Sequence, residues 1–196
     1  MKSLRTYIES HRPLPWTVVK DHPNTSLIGN NSLVISFVRF KLIMDAVEKY
    51  YSLGNTVLDV GVYPGIVPQL FHEYYPGSGN YQNYYGLGLG FDKIFSKKMY
   101  EFGIKLLECD LEPRLGMQQG RESFIPLEEE TNDLVIFTDV VEHFYDPFHP
   151  LQEINRVSKI GSTMILTTDN LTRFVSLLAL IRGRSCNVPL IEGNIF

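Results

Sequence analysis

The sequence predicts a single α/β domain built on a doubly wound parallel sheet with helices on both faces. Three observations predict it. Thr56-Val57-Leu58-Asp59-Val60-Gly61-Val62-Tyr63-Pro64-Gly65 is an apolar strand that runs into a glycine turn and then a helix. Asp133-Leu134-Val135-Ile136-Phe137-Thr138 is a second apolar strand, ending in the polar cluster Asp139-Val140-Val141-Glu142-His143. Elsewhere strands alternate with helices at a spacing that requires crossover connections, and therefore parallel pairing. Two strands with functional carboxyl ends place one crevice at the top of the sheet.

The elements follow in order. Pro13, Pro15, Pro23 and Gly29 punctuate the first 30 residues, which predicts a short helix and then an irregular arm carrying Trp16. Apolar residues from Leu33 to about Tyr51, interleaved with Arg39, Lys41, Asp45, Glu48 and Lys49, predict a helix stopped near Gly54. Residues 1–50 are thus expected as a helical arm or cap, and 51–196 as the main domain. Val57–Val60 is the first strand. Pro64 suits helix entry, and Pro68 is tolerable in the first turn of that helix. Pro76-Gly77-Ser78-Gly79-Asn80 is a loop. A second strand is expected at Tyr84–Leu89, a helix at 93–102 and a third strand at Ile104–Cys109. The fourth strand is Leu134–Thr138, followed by a helix at Pro147–Ser158, a fifth strand at Thr163–Thr168 and a helix from Thr172 to about Arg182.

With 196 residues, 44% of them hydrophobic, the chain suffices for one well-buried core. The net charge of −4 and the lack of a basic block argue against a nucleic-acid partner. Cys109 and Cys186 match no metal or disulfide spacing, which suits reduced thiols in a cytoplasmic protein. No apolar run approaches the ~20 residues needed to span a bilayer, so no stable membrane insertion is expected. Leu171–Ile181, with Arg173, Arg182 and Arg184 around it, suits a core or pocket-covering helix better than a membrane-surface one.

Chemistry concentrates at the strand ends. A glycine directly after a strand lets a ligand touch backbone that a Cβ would cover, and the next helix offers free N–H groups to an anion. The alternative is a plain tight turn. The Gly61-x-x-x-Gly65 spacing departs from Gly-x-Gly-x-x-Gly, which counts against a dinucleotide site. Gly88 stands where an acid ending the second strand would bind ribose hydroxyls; Asp92 either reaches back or caps the following helix. Asp110, with Leu111 behind it, either accepts from an adenine amine or closes an ordinary Asx-turn. His143 and His149 are interrupted by Pro147 and fit no metal-binding face, so no metal is expected. Asp139 and Glu142 instead line the crevice, with His143 either a general base or a structural histidine.

Together these segments resemble the class I S-adenosylmethionine-dependent methyltransferases, closest to a small-molecule and sugar-type bacterial branch. Val57–Gly65 resembles the family's first motif and Asp110-Leu111 its adenine-binding turn. Asp139-Val140-Val141-Glu142-His143-Phe144-Tyr145-Asp146-Pro147 resembles the segment after its fourth strand. Glu153–Val157 through Gly161–Asn170 resembles its passage into strand five. The resemblance covers roughly residues 50–182 and implies a Rossmann-like fold with S-adenosylmethionine as cofactor.

Residue by residue, it implies that Gly61, Tyr63 and Gly65 flank the methionine part and that Asp59 helps to hold its ammonium. The ribose acid of strand two is either missing or displaced to Asp92, itself a departure from the family, and Asp110 and Leu111 hold adenine. Asp139 and Val140 lie between cofactor and acceptor, and His143 is the candidate catalytic base. The expected acceptor is a small molecule or a glycan-linked group, with O-methylation favoured. Two further departures stand out. Tyr63 replaces a frequent glycine, and only residues 183–196 follow the last helix, too few for the family's closing antiparallel hairpin. Strand five is therefore expected as an exposed edge, in a truncated chain or one covered by a homo-oligomeric partner. An NAD-dependent oxidoreductase and a non-catalytic scaffold subunit are the alternative readings.

Overall fold

The computed structural model describes residues 37–74, 83–112 and 123–168. The arm with Trp16, the loop at 76–80, the helix expected from Thr172 and Cys186 lie outside the described residues. Helix α1 spans Phe37–Tyr50. Strand β1 (Val57–Val60), helix α2 (Ile66–Tyr74), strand β2 (Tyr84–Gly88), helix α3 (Lys93–Glu101) and strand β3 (Lys105–Glu108) follow. Then come β4 (Asn132–Thr138), a single 3₁₀ turn at Val141–His143, helix α4 (Phe148–Val157) and β5 (Ser158–Thr167). The five strands form one sheet in the order β3-β2-β1-β4-β5, every pair parallel. The strand order reverses between β1 and β4, so the crevice opens where their carboxyl ends diverge.

Each helix forms because its apolar residues recur on one face. In α1, Phe40, Ile43, Met44 and Val47 are buried, while Lys41 pairs with Asp45 one turn on along the exposed face. In α3, Phe95 and Met99 are buried one turn apart, and Asp92 caps the helix by accepting from the N–H groups of Ile94 (2.7 Å) and Phe95 (2.8 Å). Helices α1, α2 and α3 cover one face of the sheet, around Val57, Tyr84, Leu134, Ile136 and Ile165. Helix α4 covers the other, where Ile154 and Val157 meet Leu58, Val60, Leu87, Val135 and Phe137. Because α1 shares a core with the sheet, packing is continuous across the expected boundary at residue 50.

Strand β5 is longer than the expected Thr163–Thr168. It follows α4 without a loop, and its register runs from Asn132↔Ser158 to Leu134↔Thr163, five steps on β5 against two on β4. Gly161, at φ 84°, permits this bulge. Among the described residues β5 pairs only with β4, and Ile160, Met164 and Leu166 on it are exposed.

On the α4 side one polar cluster ties the helix to the chain before β4. Arg156 donates to the carbonyls of Ile125 (2.9 Å) and Leu127 (3.0 Å) and to Glu153 Oε2 (2.8 Å). Glu153 also accepts from the Ile125 N–H (3.1 Å). The Arg156 hydrogen bonds hold the Glu153 carboxyl below its ordinary range. Removing the guanidinium leaves the buried Glu153 carboxylate without its cation and takes the Arg156 donor from the Leu127 carbonyl. Arg156→Ala is therefore expected to cost about 2–4 kcal/mol in urea denaturation, with Arg156→Lys recovering only part because the planar fork is lost. A loss below about 0.5 kcal/mol would place the cluster among inert surface pairs.

Candidate functional site at the carboxyl ends of β1 and β4

The turns after β1 and β4 interlock with each other and with the middle of β2 through glycines. Gly61 follows β1 at φ 77°, and Gly65 precedes α2 at φ 84°, a region that side chains rarely adopt. A Cβ on Gly61 would stand 2.2 Å from Val140 Cγ2 on the turn after β4. A Cβ on Gly86 in β2 would stand 2.9 Å from Val62 Cγ2. Thus Val140 fills the space Gly61 leaves, and Val62 fills the space Gly86 leaves. The N–H groups of Gly61 (2.9 Å) and Val62 (3.0 Å) both donate to the Leu87 carbonyl, which fuses the turn to β2.

Beneath the turn lies Asp59, 2% exposed, between Gly86 and Ile136 in the sheet. Tyr84 Oη donates to its Oδ2 at 2.9 Å. Burial pushes its carboxyl up to about 7, against the opposing effect of the Tyr84 hydrogen bond. Tyr63, half-buried, packs its ring against Phe95 at 5.1 Å, and burial together with the nearby Asp92 carboxylate raises its hydroxyl above the ordinary phenol range. The Phe91 ring stacks on the same Phe95 and covers Gly88, where a Cβ would approach it to 3.0 Å. Asp92 sits in this wall and spends Oδ1 on capping α3.

After β3, Asp110 Oδ1 accepts from the Glu112 N–H at 3.0 Å, closing an Asx-turn, and Leu111 is buried. The Glu112 carboxylate accepts from the N–H groups of Tyr145 and, at 2.9 Å, Asp146. The β3 turn is thereby tied to the segment beyond His143. After β4, Asp139 adopts φ 55°. Its Oδ2 pairs with Arg39 Nη1 of α1 at 2.6 Å, and its Oδ1 accepts from Thr167 Oγ1 at 3.1 Å. Its N–H donates to the Thr167 carbonyl at 3.0 Å. His143 closes the 3₁₀ turn, its N–H donating to the Val140 carbonyl at 3.0 Å, and its ring is exposed. His149 lies apart, its Nε2 2.9 Å from the Ser123 carbonyl. Among the described residues no three metal-binding side chains gather.

The structure thus brings Gly61, Tyr63, Gly65, Asp92, Asp110, Leu111, Asp139, Val140 and His143 to one edge of the sheet. Asp59 sits one layer below them, on the face packed by the helices. Sequence reasoning missed Arg39, Tyr84, Glu112 and the role of Thr167. Arg39 and Tyr84 lie inside ordinary helix and strand patterns, and no local signal marks them.

Comparison with known proteins adds to this geometry. The family model described as a methyltransferase domain matches residues 58–166. A search of the curated proteins finds no match. A SAM-dependent methyltransferase from Thermotoga maritima, described as a possible histamine N-methyltransferase, is 17% identical with a TM-score of 0.50. That alignment covers 78% of this chain and 64% of the other. The CurJ carbon methyltransferase is 19% identical, with 92% and 42% covered and the same TM-score of 0.50. This chain therefore spans less than two thirds of either structure. At such identities the likeness shows a shared Rossmann-like fold.

Two outcomes test the geometry. Gly61→Ala places a methyl on Val140 at an unfavourable φ and is expected to cost about 1–3 kcal/mol in urea denaturation, with Val140→Ala in the same chain restoring part. Additive losses would sever the two residues. Asp59, whose folded pKa is raised, stabilises the fold below the ordinary carboxylate range and loses that contribution as pH rises through about 7. Asp59→Asn should therefore flatten the fall in Tm between about pH 4 and 7; an unchanged slope would assign it to other groups.

Proposed function

The chain belongs to the methyltransferase domain family, and from that premise we propose that it moves a methyl group to the oxygen of a small-molecule or glycan-linked acceptor. Its cofactor is S-adenosylmethionine, which supplies an activated methyl on a sulfonium with a neutral leaving group. The single observation that carries the reading is the Gly61–Val140 contact, which joins the glycine turn of β1 to the turn of β4 at the point where the strand order reverses.

The residues present fit the two ends of this cofactor. At the methionine end, Gly61 and Gly65 give the turn its left-handed backbone, and the start of α2 offers N–H groups suited to a carboxylate. Tyr63 lies beside them, and Asp59 supplies negative charge beneath the turn for the ammonium. At the adenine end, Asp110 keeps Oδ2 for an exocyclic amine, and buried Leu111 backs the ring. The ribose position fits less well. Gly88 has no acid and is covered by Phe91, so Asp92 Oδ2 is the remaining carboxylate oxygen for the hydroxyls.

The work left to the protein is alignment and removal of water, since only in-line geometry brings acceptor and methyl together. Asp139 and Val140 form the wall between cofactor and acceptor. An alcohol must lose its proton as it is methylated, and exposed His143 is the base assigned to receive it. His143→Ala is expected to lower turnover about 10²–10⁴-fold on an alcohol acceptor while affinity for S-adenosylhomocysteine stays within about twofold. Parallel loss of both would make His143 a binding or structural residue. Labelled methyl recovered on nitrogen or carbon, with no ether product from an acceptor panel, would refute O-methylation.

A further inference from the structure

We propose that Arg39 is a positioning residue for methyl transfer: through Asp139 it sets the turn that carries Val140, Glu142 and His143. The proposal rests on the β1/β4 crevice being the cofactor site. Asp139 is where the chain leaves β4, and its φ of 55° is a conformation a non-glycine residue adopts only when its surroundings hold it there.

Three contacts supply that hold. Arg39 Nη1 lies 2.6 Å from Oδ2, Thr167 Oγ1 donates to Oδ1 at 3.1 Å, and the Asp139 N–H donates to the Thr167 carbonyl at 3.0 Å. Both carboxylate oxygens and the backbone donor are thereby fixed. The next residue, Val140, lands on Gly61, and the 3₁₀ turn to His143 follows at once. At the far end Glu112 accepts from the N–H groups of Tyr145 and Asp146. The segment from Asp139 to Asp146 is therefore held at both ends by side chains from other elements, and Arg39 is the holder that comes from α1.

The Arg39 side chain is 35% exposed and that of Asp139 24%. A pair this accessible contributes little to global stability, so its effect should appear in the shape of the turn. The test compares Arg39→Ala, Arg39→Lys and the milder Thr167→Val with the unsubstituted chain. Amide hydrogen exchange of residues 139–144 is followed without ligand, alongside Tm and titration with S-adenosylhomocysteine. Arg39→Ala should speed exchange in 139–144, leave β1 and β4 protected, and weaken S-adenosylhomocysteine about tenfold. Arg39→Lys should restore most of both, and Thr167→Val should move both in the same direction by less. A drop in Tm with exchange and affinity unchanged makes the pair merely structural and overturns the proposal. If the unsubstituted chain binds and Arg39→Ala binds equally well, this proposal alone fails. If the unsubstituted chain does not bind S-adenosylhomocysteine, the cofactor reading and this proposal fall together.

Discussion

The packing of valine methyls into spaces that glycines leave at the strand ends is the constraint on which the rest of this site depends. Val140 sits on Gly61 and Val62 on Gly86, so the turn after β4 packs on the turn after β1, and that turn packs on the middle of β2. Parallel sheets bury both faces and open only at such ends. The Gly61–Val140 contact decides how closely the β1 and β4 turns approach, and the Val62–Gly86 contact seats the β1 turn on β2. Gly61 meets the requirement twice over, since its φ of 77° is also one that a side chain disfavours.

Electrostatics follow from that packing. Asp59 is buried within the sheet beneath the turn, and burial raises its carboxyl to about 7 while the Tyr84 hydroxyl donates to it. A carboxylate poised in this way is costly in the ligand-free chain and gains most from a cation placed above it. The ammonium of a bound amino acid is such a cation. The two flanking turns are handled differently. Asp139 meets an arginine, and Asp92 meets the N-terminus of α3, so their charge is largely answered within the protein before any ligand arrives.

Much of this was legible in the sequence because it is written in local patterns. The β1 strand, its glycine turn, the β4 strand and the amphipathic faces of α1 and α3 each follow from residues within a few positions of one another. The start of β5 was not legible: Lys159-Ile160-Gly161-Ser162 has the composition of a turn, and only pairing with β4 draws it into the sheet around a bulge. The ion pair between Arg39 and Asp139 was hidden for a similar reason. It joins the first described helix to the end of the fourth strand, and no spacing within either segment points to the other. Tyr84 read as an ordinary apolar strand residue, although its hydroxyl is what faces Asp59. The positions proposed for the cofactor were thus visible as types, while the side chains that hold them in place were visible only in three dimensions.

The most direct test of the central claim is titration calorimetry of this chain with S-adenosylmethionine, S-adenosylhomocysteine and NAD in parallel. The geometry of the β1 and β4 ends predicts micromolar binding of the first two and none of NAD. Binding of NAD alone, or of none of the three, would contradict it.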